Sequence, residues 1–166
     1  MATGTNSENT IYFYGANKEF GIFSNFYIAP IYIDGVRYET TEHYFQAAKF
    51  PDDPQYQRAV ATAHGPRQAA QLGRSRAHKL RDDWEEVKDA VMETAVRAKF
   101  TQHKNLREQL LETGGAIIVE DSPTDAYWGV GAERNGKNML GIILMKIREE
   151  LRAEELRAEE LRAEEA

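Results

Sequence analysis

Within the segment TEHYFQAAKF, Glu42, Phe45, Gln46 and Lys49 stand at i, i+3, i+4 and i+7. That spacing puts all four on one face of a helix, while His43, Ala47 and Phe50 share the adjacent face. Stripes this near a core are normally apolar. A carboxylate, an aromatic ring, an amide and an amine on one stripe would give a ligand pocket an acid or base, a stacking surface, a hydrogen-bonding reader and a cation. The pattern also fits an exposed helix edge, where a charge pair seven residues apart is too distant to matter. Further along, Asp125 and Trp128 add a second carboxylate and a second ring. Two carboxylates beside stacking surfaces suit cleavage of a glycosidic bond, because the departing group leaves a cationic sugar that carboxylates stabilise.

The charge distribution narrows the ligand. The 166 residues carry a net charge of −6, concentrated in Glu149 to Ala166, where eight acids meet three arginines. The remaining body, with 19 acids against 18 bases, is nearly neutral and gives little electrostatic affinity for a nucleic-acid backbone. Inside it, His64 to Arg81 holds Arg67, Arg74, Arg76, Lys79 and Arg81 and no acid. This local basic patch suits a phosphate-bearing ligand, with Arg74 and Arg76 as its contacts, or else a solvated surface.

Other chemistries lack their residues. The absence of Cys excludes disulfides, thiolate metal sites and a thiol nucleophile. The four histidines show no metal-binding spacing, so no metal or cofactor is expected. Gly131 to Asn138 misses the phosphate-cradling G-x-x-x-x-G-K-[ST] at its last position. It still offers a glycine loop leading into a helix N-terminus, whose free N–H groups and positive dipole end would suit a phosphate. No apolar run approaches a membrane span, and Met1 to Thr10 is polar rather than a leader. A soluble protein of the cytoplasm or nucleus is the expectation.

Positioning these groups requires several short elements. Ile11 to Tyr14 and Ile31 to Tyr38 read as strands, the second a hairpin turning at Asp34-Gly35, and Ala116 to Glu120 reads as a buried strand. A helix capped by Thr40 or Thr41 stops before Pro51, and others begin at Asp53-Pro54 and at Pro66. Asp82 or Asp83 caps a longer helix with a stripe of Trp84, Val87, Val91, Ala95 and Ala98, and Leu106 to Leu111 forms a shorter one. After an eighteen-residue loop, long enough to be functional or disordered, Asn138 caps a helix with Leu140, Ile143, Leu144, Ile147 and Leu151 on its apolar face. The LRAEE repeats that follow space their leucines by five, so they form no stripe and should prolong that helix as a solvated extension. The class is α+β, a helix-rich single domain with few short strands, over residues 11–151, with residues 1–10 disordered and 152–166 a helical tail.

The segments FGIFSNFY, YETTEHYFQAAKF, the tryptophan and RAKF of Trp84 to Phe100, DAYWGVG and NGKNMLGIILMKIRE together resemble the NADAR (YbiA-like) family. The likeness runs from about Ile11 to Leu151. It implies an α+β, mostly helical domain that hydrolyses N-glycosidic bonds. Two substrate classes go with it: ADP-ribose attached to guanine bases of nucleic acids, and ribosylated pyrimidine intermediates of riboflavin synthesis. The family's pocket positions fall on Glu42, Lys49, Trp84, Asp125, Trp128 and Asn138, with binding roles implied for Asn25, Phe26, Arg97 and Gln102. The LRAEE tail has no counterpart in the family.

Combined with the residue pattern, this gives an N-glycosidase in which Glu42 and Asp125 stabilise the sugar cation or activate water. Lys49 is a nucleophile or proton donor, Trp84 and Trp128 are stacking walls, Phe45 and Gln46 complete the pocket, and Arg74, Arg76 and the Gly131 loop share the phosphates. ADP-ribose, free or attached to nucleic acid, is the expected partner. The rivals are the riboflavin intermediate and a binding module for ADP-ribose without turnover.

Overall fold

A computed structural model describes residues 9–166, so most of the N-terminal segment expected to be disordered lies outside the described residues. Thr10, expected to belong to it, already stands in the first strand. The described elements, in chain order, are β1 (Thr10–Phe13), a single 3-10 turn (Gly21–Phe23), β2 (Ile31–Ile33), β3 (Val36–Tyr38), α1 (Thr41–Ala47), α2 (Pro54–Ala61), α3 (Pro66–Arg74), α4 (Trp84–Gln102), α5 (Lys104–Glu112), β4 (Ile117–Glu120) and α6 (Met139–Glu165). Helices outnumber strands, in keeping with the α+β, helix-rich class.

Local chemistry sets most boundaries. Asp34 and Gly35 both take positive φ, 52° and 79°, which lets a two-residue turn close the antiparallel pair β2–β3. Thr40 Oγ1 accepts the His43 N–H at 3.2 Å and so caps α1. The fully buried His43 ring is bound at both nitrogens, to Thr40 Oγ1 and to the Ala63 carbonyl, which fixes the rotation of the helix. Asp53 caps α2 by accepting the Tyr56 N–H, and proline occupies the first positions of α2 and α3.

Long-range pairing sets the rest. β1 and β4 form a parallel two-stranded sheet with Phe13 opposite Glu120, and α6 packs on β4. Leu140, Ile143, Leu144, Ile147 and Leu151 are all buried, as the periodicity of α6 predicts. Leu156 and Leu161 in the tail are each 55% exposed, and the helix runs on to Glu165 without a face to bury. The stripe on α4 is rotated from expectation. Val87, Val91 and Ala98 are only half-buried, and Met92, Val96, Lys99 and Phe100 go inside, because α4 is packed between α1, α5, α6 and β2 and buries a wide arc.

Candidate active site

Helix α1 is nearly surrounded, packing on α2, α3 and α4, and its polar stripe faces a cavity of about 710 Å³. The exposed-edge reading therefore fails for these residues, since Glu42, Gln46 and Lys49 are 8%, 6% and 7% exposed. Lys49 lies just past the last residue of α1 rather than within it. Its N–H still bonds the Gln46 carbonyl at 3.2 Å, and this closing turn keeps the side chain on the stripe. The cavity collects Glu42, Phe45, Gln46 and Lys49 from α1, Asn25 and Phe26 from the loop after the 3-10 turn, Arg74 from α3, and Asp125 and Trp128 from the long loop.

The environment tunes the ionisable groups. Burial pushes the Glu42 carboxyl above the usual glutamate range, although the Gln46 amide donating at 2.7 Å and the charge of Lys49 pull the other way. Burial and then the nearby Arg76 charge bring the Lys49 ammonium down to about 8. Its Nζ lies 5.6 Å from the Phe45 ring centroid and 5.5 Å from that of Trp84. The long loop is ordered around Asp125, whose Oδ1 accepts the N–H groups of Tyr127 and Trp128 at 2.9 and 2.8 Å. That turn sets the Trp128 ring edge-on to Phe45, 5.3 Å between centroids.

The remaining sequence-predicted residues lie elsewhere. Trp84 is buried behind Phe45, 5.0 Å away, and supports the pocket floor instead of forming a wall. Arg97 holds Glu150 through a two-pronged pair at 2.9–3.1 Å and so ties α4 to α6. Gln102 bonds both the N–H and the carbonyl of Tyr32, a clamp on β2. Asn138, at φ 53°, makes no side-chain cap and instead bridges the Glu120 N–H and the Ile118 carbonyl, each at 2.9 Å. Gly131, at φ 73°, packs on Ala126 away from the cavity. Its loop offers no phosphate cradle, because the N–H groups of Lys137 through Leu140 are already bonded to carbonyls of residues 126–129. Arg76 stays outside the cavity lining, bonded to the Gly73 and Ser75 carbonyls, and reaches the site only through its charge on Lys49.

The cavity lining also includes residues outside the sequence-based site, and two of them are charged. Arg67 joins Arg74 from the same helix, α3. Glu120, at the end of β4, adds a third carboxylate. Strand alternation carries its signal: Ala116, Ile118 and Glu120 share a face, and the first two are buried. The site also has a supporting tier. Asn25 Oδ1 accepts from Thr41 Oγ1 at 2.8 Å, and the buried Lys99 donates to the Ser24 carbonyl at 3.0 Å, fixing the loop that carries Asn25 and Phe26. Gly73 passes so close to the Gln46 amide that any Cβ there would collide with it.

Fold and site together define a helix-rich α+β domain with an acidic, aromatic pocket rimmed by arginine. The NADAR domain matches residues 12–152, and the chain belongs to the NADAR family. It is 47% identical over 144 residues to the N-glycosidase YbiA of Escherichia coli (strain K12), covering 87% of this chain and 89% of that one. It is also 42% identical over 145 residues to the riboflavin biosynthesis protein VVA0006 of Vibrio vulnificus, covering 87% of this chain but 39% of that longer one. The NMR structure of the E. coli protein YbiA superposes with a TM-score of 0.84 at 46% identity, over 92% of this chain and 90% of that one. Among the described residues no helix is long and apolar enough to cross a membrane.

Proposed function

We propose that this N-glycosidase removes ADP-ribose from ADP-ribosylated guanine, with Glu42, Lys49 and Asp125 as its reacting groups. The observation that carries the reading is the burial of Glu42 and Lys49 on one stripe, in a cavity that also holds Asp125 and Trp128. With Lys49 brought to about 8, roughly a quarter of it is free amine at pH 7.5. The Nζ lone pair attacks C1 of the ribose while the C1–N bond breaks and its electron pair leaves with the base, which takes up a proton. Ring opening then gives an imine. Water adds across its C=N bond, delivering oxygen to C1 and returning the amine to Lys49. Glu42 faces the positive charge that develops at the sugar, and Asp125, held by its two N–H donors, orients the water.

The choice of ADP-ribose rests on the cavity's composition. Arg67 and Arg74 supply two cations for two phosphates, and Tyr14 and Phe26, 50% and 38% exposed, add ring surfaces beyond Phe45 and Trp128 for a second base. A second reading, hydrolysis of a ribosylated pyrimidine of riboflavin synthesis, is favoured by the name of the Vibrio relative. Comparing kcat/KM on a guanine-ADP-ribosylated oligonucleotide and on the pyrimidine intermediate separates them. A preference of about tenfold or more for the oligonucleotide is expected, and the opposite preference would transfer the assignment to riboflavin chemistry.

A further inference from the structure

The departing base needs a proton, and one group in the pocket has no other assignment. Glu120 ends β4 and lines the same cavity as Glu42, Lys49 and Asp125. Its backbone is held on both sides: the N–H donates to Asn138 Oδ1 at 2.9 Å, and the carbonyl accepts the Val130 N–H at 3.0 Å. The Asn138 bridge thus positions the end of β4. By contrast, Glu120 Oε2 is buried with no hydrogen-bond partner among the described residues. The other two carboxylates are engaged, Glu42 by the Gln46 amide and Asp125 by two backbone N–H groups.

Resting on the N-glycosidase reading above, we propose that Glu120 is the general acid that hands its proton to the base nitrogen as the C1–N bond breaks. The bonding pair stays on that nitrogen, the proton passes from the carboxyl to it, and the resulting Glu120 carboxylate regains a proton from solvent before the next turnover. Three carboxylates in one cavity cannot all ionise cheaply, and the one without a donor keeps its proton longest. Burial, followed by the charges of Asp125 and Glu42, pushes the Glu120 carboxyl up to about 7, where an acid is well matched to proton transfer near neutrality. Lys49, Arg67 and Arg74 are the cations lining the same cavity, and His43 on α1 is tied up by Thr40 and Ala63.

The test follows release of ADP-ribose from a guanine-ADP-ribosylated oligonucleotide in single turnover from pH 6 to pH 9, for wild type, Glu120→Gln and Glu120→Asp. At pH 6 Glu120→Gln should be slower than wild type by about 10²-fold. The ratio should shrink to within about threefold at pH 9, where wild-type Glu120 has lost its proton. Glu120→Asp, which keeps a carboxyl, should retain a fall in rate towards alkaline pH that Glu120→Gln lacks. A wild-type to Glu120→Gln ratio independent of pH, or an Asp variant with no such fall, overturns the assignment while leaving the N-glycosidase reading intact. A wild type that releases no ADP-ribose at any pH overturns the substrate reading, and this assignment with it.

Discussion

Gln46 donates its side-chain amide to Glu42 Oε1 at 2.7 Å from one turn further along the same stripe. A donor to a carboxylate favours its ionised form, so the bond opposes the effect of burial on Glu42. Gln46→Met, close in volume and without a donor, should push the Glu42 carboxyl higher still. The acidic limb of the kcat–pH profile should therefore move to higher pH in a protein with unchanged circular dichroism. An acidic limb that stays in place would remove Glu42 as the group that titrates there.

Lys49 gives the most specific chemical signature. Borohydride added during turnover should reduce the imine and leave a stable adduct with the mass of the sugar moiety on the peptide containing Lys49. Lys49→Arg should lose both adduct and activity, since a guanidinium has no free amine to offer. No adduct while product plainly accumulates would exclude the covalent route and leave Lys49 as a proton donor or hydroxyl ligand.

The basic patch divides into two roles. Arg67→Glu and Arg74→Glu, whose side chains line the cavity, should each raise KM by about tenfold or more, as expected of phosphate contacts present in both ground and transition states. Arg74→Glu should also lower kcat at pH 7, because the Arg74 charge acts on Lys49 and Glu42. Arg76→Ala should behave differently. Its charge depresses Lys49, so its removal should lower kcat by a few-fold at pH 7 and restore it near pH 9. Steady-state parameters at both pH values check this, and a KM effect from Arg76→Ala equal to that of Arg74→Glu would contradict the division.

How much of this was readable in the sequence depends on the range of each interaction. The α1 stripe, the Thr40 cap, the Asp34-Gly35 turn and the apolar face of α6 are decided within a few residues, and each is found in the structure. Arg97, Gln102 and Asn138, to which the family resemblance gives pocket roles, make long-range structural bonds instead. Their partners lie 53, 70 and 18 to 20 residues away, and no local spacing distinguishes an arginine that clamps two helices from one that holds a phosphate. The glycine loop differs from its sequence pattern for a similar reason, because its helix N-terminus is covered by carbonyls of the loop itself. Glu120 was visible in principle as an acid on the inward face of a strand, but the third carboxylate matters only once the fold brings it to Glu42 and Asp125.

Truncation separates the tail from the domain. Removing Glu154 to Ala166 takes away mostly exposed residues and should change activity by less than about threefold and Tm by only about 1–2 °C. Removing Glu149 to Ala166 also deletes buried Leu151, the Glu150 partner of Arg97 and the Arg152 bond to the Gly114 carbonyl at 2.7 Å. Activity should again stay within about threefold at 25 °C, while Tm falls by roughly 5 °C or more. Thermal melts beside an activity assay decide it, and loss of activity at unchanged Tm would make the tail part of the site.

Cleavage of the N-glycosidic bond in this pocket depends on buried Glu42 facing the sugar cation and on half-buried Asp125 orienting the water. Single-turnover release of ADP-ribose from a guanine-ADP-ribosylated oligonucleotide, by wild type beside Glu42→Gln and Asp125→Asn of matched circular dichroism, tests it most directly. Wild type should release ADP-ribose and leave intact guanine in the oligonucleotide, and each variant should be slower by at least about 10²-fold. Either variant cleaving at near wild-type rate would contradict it.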